Sequence, residues 1–380
     1  MNKLIIKAKN FRQSIRQNGM KTEVRRLKNY IKYRKTVLNA YEEWQLLNEP
    51  NKEEIEEQKK YEPLLDTKFT IITSKDNENI DISNQTYENY SIQFFDADKY
   101  LENIKKLRSD YCIFIAKGIE MLPFALYDIE RFIEYNECNL IYADNDYLID
   151  GKRENPNFKP HFAYDNILSK NYFGNFIIIK TKFLQENENI LENLSKTEPI
   201  YNIILNTITK TNRIMHIDKI LYSVKEEKID EEEQIDIIKR YLEKNNIKYD
   251  RVRKGKFEGQ YKIDYTIKEN AKISIVIPNM DHIEDLEKAI NSILKSSYKN
   301  YEIVVVENNS KNQETFEYYE KIKKQDARIK VIKMEIKEFN YSKIVNFGVE
   351  NSEGEYIVLL NNDIEVITND WLEQMLMYVQ

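Results

Sequence analysis

The chain has 380 residues, 41% hydrophobic and 32% charged, with only 8 glycines and 7 prolines. This excludes a disordered polymer and long flexible linkers, and the length suffices for two domains that each bury a core. A net charge of −6 is mild and gives no case for nucleic acid as the main partner.

Residues 1–60 are predicted to be helical. Within 1–36, twelve Lys and Arg face a single acid, Glu23, and apolar Leu4, Ile5, Ala8, Phe11 and Ile15 recur among them at helical spacing. Such a helix lies on an anionic membrane face or packs on the next domain. From Thr36 to Lys60 the helical pattern continues, with Trp44, Leu46 and Leu47 as packing residues. No apolar run has the length of a membrane span, and the start lacks the apolar core of a signal peptide. The expected location is therefore the cytoplasm, with peripheral contact at the inner face of the membrane through 1–36. Cys112 and Cys138 sit in apolar surroundings without metal spacing and are expected as reduced core thiols.

Residues 61–225 alternate short apolar strands with helical stretches, which predicts an α/β layer fold. Residues 226–270 are expected as a connector, with a helix through Ile235, Ile238, Tyr241 and Leu242 and then a strand from Tyr261 to Ile267. Residue 271 begins a βαβ unit. Ile273–Ile277 reads as a buried parallel strand ended by Pro278, Asp285–Lys295 as a helix and Tyr301–Val306 as the second strand.

The chain also repeats itself. Gln85–Ile92 echoes Ser296–Ile303, each leading into an apolar strand that ends in an acid, Asp96 or Glu307. Tyr111–Glu120 echoes Tyr356–Glu365, and both then enter an amphipathic helix. About 14 residues separate Asp96 from Tyr111, against about 48 between Glu307 and Tyr356. The first copy has lost an internal segment, and the second stops just after its matching helix.

An open parallel sheet binds ligands at the carboxyl ends of its strands. Here those ends read Pro278-Asn-Met-Asp281, Glu307-Asn-Asn-Ser310 and Asn361-Asn-Asp363. One such cluster would be a turn signal; three in register point to a ligand. Asp363 follows the strand Tyr356–Leu360, and one carboxylate there suits a hard divalent ion that bridges diphosphate oxygens. There is no Gly-rich phosphate loop, which argues against a dinucleotide or ATP fold. His161, His216 and His282 lack metal spacing and are expected as surface or hydrogen-bonded residues.

These stretches, together with Tyr298–Ile303, Phe339-Asn-Tyr-Ser342, Asn346, Gly348 and Trp371-Leu372, resemble bacterial glycosyltransferase family 2. The likeness is to the long, two-unit enzymes of cell-surface polysaccharide synthesis; it is close over 271–380 and looser over 61–225. It implies a GT-A fold, a Rossmann-like sheet flanked by helices, in one degenerate copy plus the N-terminal half of a second. By resemblance, Asp281 and Glu307 contact the nucleoside, Pro278 shapes the loop below it, and Asn309 belongs to the same nucleotide site. Asn340, Ser342 and Asn346 lie along the ribose and diphosphate, and Asn361 and Asp363 form the metal site for Mn2+ or Mg2+. Glu307 stands where the family usually has Asp. The implied donor is a UDP- or dTDP-linked sugar, and the acceptor a glycan or lipid-linked glycan.

The first copy resembles the family in Leu140–Asp146, Asn157–Pro160, Asn171–Gly174 and His216–Tyr222, but its chemistry is stripped. Gly118 replaces Asp363, the family's acidic pair falls on Ile200-Tyr-Asn202, and the expected His is Ser223. Neither Ile200 nor Asn202 can take a proton at neutral pH. Asp144 and Asp146 either line an acceptor surface or cap structure. The second copy has the donor half, so its catalytic base is expected beyond Gln380. The leading expectation is an inverting, metal-dependent glycosyltransferase. A non-catalytic binding or scaffold protein is the alternative, separated from it by a base-bearing segment past Gln380. A nucleotidyltransferase would want a basic Gly-rich opening loop.

Overall fold

Stretches rich in β-branched and aromatic residues form most of the strands, although β6 (Lys152–Asn157) and β9 (Tyr249–Lys254) are largely polar. The computed structural model describes residues 39–380 except 78, 79, 81, 226, 227 and 337, together with residues 20, 24 and 28. The basic segment 1–36, expected to meet a membrane or the next domain, lies outside the described residues except at 20, 24 and 28. No helix among the described residues is long and apolar enough to cross a membrane. The chain divides into two units, residues 1–246 with 252–262 and residues 247–251 with 263–380.

Unit 1 opens with α1 (Ala40–Asn48) and α2 (Lys52–Gln58). Asn39 caps α1 by accepting from the amides of Tyr41 and Glu42, and Asn51 and Glu54 form a capping box on α2. Then follow β1 (Phe69–Thr73), β2 (Tyr90–Phe94), α3 (Tyr100–Ile104), β3 (Tyr111–Ile115), β4 (Ile119–Met121) and α4 (Ala125–Ile133). Next come β5 (Leu140–Ile149), β6 (Lys152–Asn157), α5 (Tyr164–Ser169), β7 (Phe176–Lys180), α6 (Thr181–Glu186), α7 (Pro199–Ile208), β8 (Ile214–Val224) and α8 (Glu231–Lys244). The strands form one sheet in the order β2-β1-β3-β7-β5-β8-β4, with β6 on β5. β1, β2 and β3 are parallel, and β7 is antiparallel to both β3 and β5. β1, β3 and β7 are buried along all or nearly all of their length and are mostly apolar, as strands covered on both faces are. Cys112 and Cys138 are free and buried in this core, and burial pushes the Cys138 thiol up to about 11.

α8 buries Ile235, Ile238, Tyr241 and Leu242 within unit 1, so the stretch expected as a connector is divided between the units. The chain passes from one to the other through β9 (Tyr249–Lys254) and β10 (Tyr261–Tyr265).

Unit 2 is built of β11 (Ile273–Asn279), α9 (Ile283–Ile293), β12 (Tyr301–Glu307), α10 (Gln313–Gln325), β13 (Ile329–Lys333), α11 (Tyr341–Glu350), β14 (Tyr356–Leu359) and α12 (Trp371–Val379). Its sheet runs β13-β12-β11-β14, all parallel. Leu286, Ala289, Ile290 and Ile293 recur on one face of α9 and are fully buried. Pro278 does not end β11, which runs on to Asn279. Its missing N–H falls beyond the last pair with β14, Val276↔Leu359, while pairing with β12 continues to Asn279↔Glu307.

Three strands of each unit share order and register. Phe69 stands opposite Tyr90 and Tyr111, and Ile273 opposite Tyr301 and Tyr356. Between β12 and β14, unit 2 adds α10, β13 and α11, where unit 1 passes from β2 to β3 through α3. One side of β3 is covered by β7, whereas β14 is the last strand of its sheet. Cys112 and Phe114 are therefore fully buried, while their counterparts Ile357 and Leu359 are 36% and 50% exposed.

Candidate functional site

All four strands of unit 2 run the same way, so their polar exits gather at one edge. Asn279, at the end of β11, joins three of them. Its side-chain amide donates to the Asp281 carbonyl at 3.0 Å and to the Tyr319 hydroxyl at 2.8 Å. Its Oδ1 accepts from Asn362 Nδ2 at 2.7 Å. The loop after β14 is thereby tied to the end of β11. Asn279 lies within the Pro278–Asp281 motif, yet its linking role has no local signal, because Tyr319 and Asn362 are distant in sequence.

Two of the three candidate acids are engaged by hydrogen bonds from their own loops. Asp281 accepts through Oδ1 from the amides of Lys311 and Asn312, at 3.1 and 3.0 Å, and from Thr315 Oγ1 at 3.1 Å. The Asn312 amide, with Lys311 and Thr315, holds this carboxyl below its ordinary value although partial burial opposes it. Glu307 is 2% exposed. Its Oε1 accepts from the Ser310 amide at 2.7 Å, and its Oε2 accepts from Ser310 Oγ and, at 2.7 Å, from the Tyr319 hydroxyl. Burial keeps the Tyr319 hydroxyl protonated well above its ordinary range, so it remains a donor. Asp281, His282 and Asn309 all adopt left-handed backbone, at φ of 58°, 31° and 62°. Non-glycine residues hold that conformation only where the surroundings impose it.

Asp363 differs. It is exposed in the turn after β14, and among the described residues its carboxylate has no hydrogen-bond or ion-pair partner. Asn361 lies exposed beside it. One carboxylate and an amide suit a divalent cation that takes its other ligands from a diphosphate and water. Among the described residues no group of three or more His, Cys, Asp or Glu would hold a metal ion without such help.

The helix α11 also begins at this edge. Asn340 caps it by accepting from the Lys343 amide at 3.0 Å, and Ser342 and Asn346 are exposed one turn apart. Asn309 Nδ2 donates to the Ile336 carbonyl at 2.7 Å, fastening the loop after β12 to the segment that leads into α11. The last turn of α11 lies on the sheet at Gly348, where a Cβ would fall 2.9 Å from Val306 Cγ2 and closer still to Val276 Cγ1.

Residues 274–380 match the model of Glycosyl transferase family 2. The matched stretch lies in unit 2. The chain is 28% identical over 274 residues to the uncharacterized protein y4gI of Sinorhizobium fredii, covering 68% of this chain and 30% of that one. It is 25% identical over 293 residues to the O-antigen biosynthesis protein RfbC of Myxococcus xanthus, covering 73% of this chain and 22% of that one. The chain thus spans less than a third of the length of either relative. Both likenesses extend beyond the family 2 segment into unit 1, since it is far shorter than either aligned stretch. Among solved structures, TarS 1-349 of S. aureus in complex with UDP-GlcNAc is similar at a TM-score of 0.35 and 14% identity, over 46% of this chain and 66% of that one.

Outside the family 2 segment, Asp144 and Asp146 are structural, which removes the reading that they line an acceptor surface. Asp144, 2% exposed, accepts from the Lys159 amide at 2.8 Å and pairs with His216 Nε2 at 2.7 Å. Asp146, fully buried, accepts from Tyr41, Ser223 and Arg153, the last through Nε at 2.7 Å. Arg153 also binds Glu49, so Asp146 fastens α1 to the sheet. His161 and His282 are exposed, as expected of surface residues. Lys159, which lies in the Asn157–Pro160 stretch with no role expected for it there, is buried and donates to the carbonyls of Ala143 and Phe173 and to the Tyr222 hydroxyl. Its ammonium replaces water with three acceptors in the centre of unit 1.

Proposed function

We propose that this chain forms part of an inverting glycosyltransferase. It moves a sugar from a UDP- or dTDP-linked donor to a glycan or lipid-linked glycan acceptor of cell-surface polysaccharide synthesis. The observation that carries the reading is the exposed carboxylate of Asp363, without a partner among the described residues, at the edge where the polar ends of β11, β12 and β14 meet. The family 2 segment and the O-antigen biosynthesis relative support it.

Transfer from a nucleotide sugar breaks the anomeric C–O bond and leaves a diphosphate carrying the electron pair. Asp363 and Asn361 would hold a divalent cation, which supplies charge neutralisation of that leaving group. The first-turn amides of α11, with Asn340 and Ser342, add the positive end of a helix dipole to the same diphosphate. Asp281, Glu307, Pro278 and Asn309 shape the nucleoside side. In this reading Asp281 and Glu307 act by fixing the loop backbone, since their carboxylates are already engaged. An acceptor hydroxyl then attacks the anomeric carbon opposite the leaving group, losing its proton to a carboxylate base. Unit 1 lacks the metal carboxylate and is non-catalytic.

Thermal unfolding of the whole chain with nucleotides tests this reading. UDP or dTDP with Mn2+ should raise the melting temperature of unit 2, and EDTA should cancel the rise, whereas ATP or NAD should give a smaller one. No shift with any nucleoside diphosphate on folded protein would refute it.

A further inference from the structure

Unit 1 holds a cavity of roughly 840 Å³ at the carboxyl ends of β1, β2 and β3, where open α/β sheets take ligands. We propose that this cavity binds an uncharged saccharide without a metal ion. The inference concerns unit 1 alone and stands whether or not unit 2 binds a nucleotide sugar.

Charge comes first. Four lysines line the cavity, and four acids balance them. Lys117 is already paired with Asp76 at 3.2 Å. A nucleoside diphosphate brings at least two negative charges and needs an excess of cation, which this lining does not offer. Gly118 occupies the position where a metal carboxylate would stand, and its φ of 85° disfavours any side chain there. The cavity is thus shaped without the carboxylate rather than missing it by one substitution.

The inner wall is made of amides and tyrosines: Asn145, Asn157, Asn171 and Asn175 with Tyr147 and Tyr172. A primary amide offers two donors and an acceptor of two bonds, which matches sugar hydroxyls that both give and take. Asn157 donates to Asn145 Oδ1 at 3.2 Å, and its own Oδ1 has no partner among the described residues. Asn175 Oδ1 faces Asn171 Nδ2 at 3.5 Å, and Asn175 Nδ2 is likewise without a partner. Neither atom is among the buried unpaired ones, so one acceptor and one donor remain reachable from the cavity. Asn171 Oδ1 is buried and unpaired, a cost that turning its amide toward a ligand hydroxyl would relieve. The tyrosine rings provide apolar faces for the C–H side of a pyranose.

The test is saturation-transfer NMR and calorimetry on the whole chain with three neutral probes, maltotriose, cellotriose and triacetylchitotriose, in the presence of EDTA. At least one should bind saturably. The double variant Asn157→Ala/Asn175→Ala should weaken that binding at least tenfold, and Asp363→Ala should leave it unchanged. Ala116→Trp, which fills the cavity from its lining, should also abolish it, with circular dichroism melts confirming that each variant is folded. The inference is overturned if none of the three probes binds folded protein or if both cavity variants keep full affinity. It is also overturned if binding requires Mn2+ and disappears in Asp363→Ala. Loss of nucleotide binding with saccharide binding intact would overturn only the reading of unit 2.

Discussion

Asp281 and Glu307, the acids at two strand ends, are both engaged by the loops around them. Asp281 collects the first free amides before α10 and so fixes the loop after β12 against the loop after β11. Its carboxyl is held below the ordinary 3.8, so the folded form gains stability from the charged state. That gain is fully present above about pH 4 and is lost as pH falls through the depressed value. Asp281→Ala should therefore lower the melting temperature by a constant amount above about pH 4, and the gap to the unsubstituted protein should narrow below it. Melts from neutral to acid pH check this; a gap independent of pH would show that the carboxylate anchors nothing.

At the scale of elements, two places in unit 2 depend on a single residue. Gly348 lets α11 lie directly on Val276 and Val306. Alanine would gain helix propensity of about 1 kcal/mol, but forcing a methyl into that contact costs about 1–3 kcal/mol. Gly348→Ala should destabilise the protein, as denaturant unfolding would record, and should loosen the N-terminal turn at Asn340. The edge strand β14 is the second place, with Ile357 and Leu359 partly in solvent. Open apolar edges invite pairing with other chains. Leu359→Lys should shift the protein toward monomer in light scattering while leaving unfolding within about 0.5 kcal/mol of the original. The strands themselves were legible in the sequence because β11, β12 and β3 are short stretches rich in β-branched and aromatic residues. The apolar face of α9 was equally plain from its spacing. The tie from Asp146 to Tyr41 and Arg153 was not, since Tyr41 is 105 residues away and only the folded sheet brings it near. The same holds for Glu198, buried at the cap of α7, where it accepts from Gln234 on α8. The burial of Glu307 and its bond from Tyr319 also have no local signature.

For the molecule as a whole, the two units set the same three-strand pattern to different ends. In unit 1 the exit of β3 is a glycine, and the nearby acids Asp144 and Asp146 are buried in structural networks. In unit 2 the exit of β14 carries Asp363, exposed and unpartnered among the described residues. On the proposed function a diphosphate and its cation would be held by unit 2, where losing one anionic ligand would leave the ion's charge uncompensated. The most direct measurement is calorimetry of UDP and dTDP with Mn2+ on three proteins: the unsubstituted chain, Asp363→Ala, and the double variant Asp144→Asn/Asp146→Asn. The expected result is metal-dependent binding to the unsubstituted chain, loss of it in Asp363→Ala, and retention in the folded double variant despite a lower melting temperature. Retained binding in Asp363→Ala, with loss in the double variant, would place the nucleotide in unit 1 and contradict the assignment.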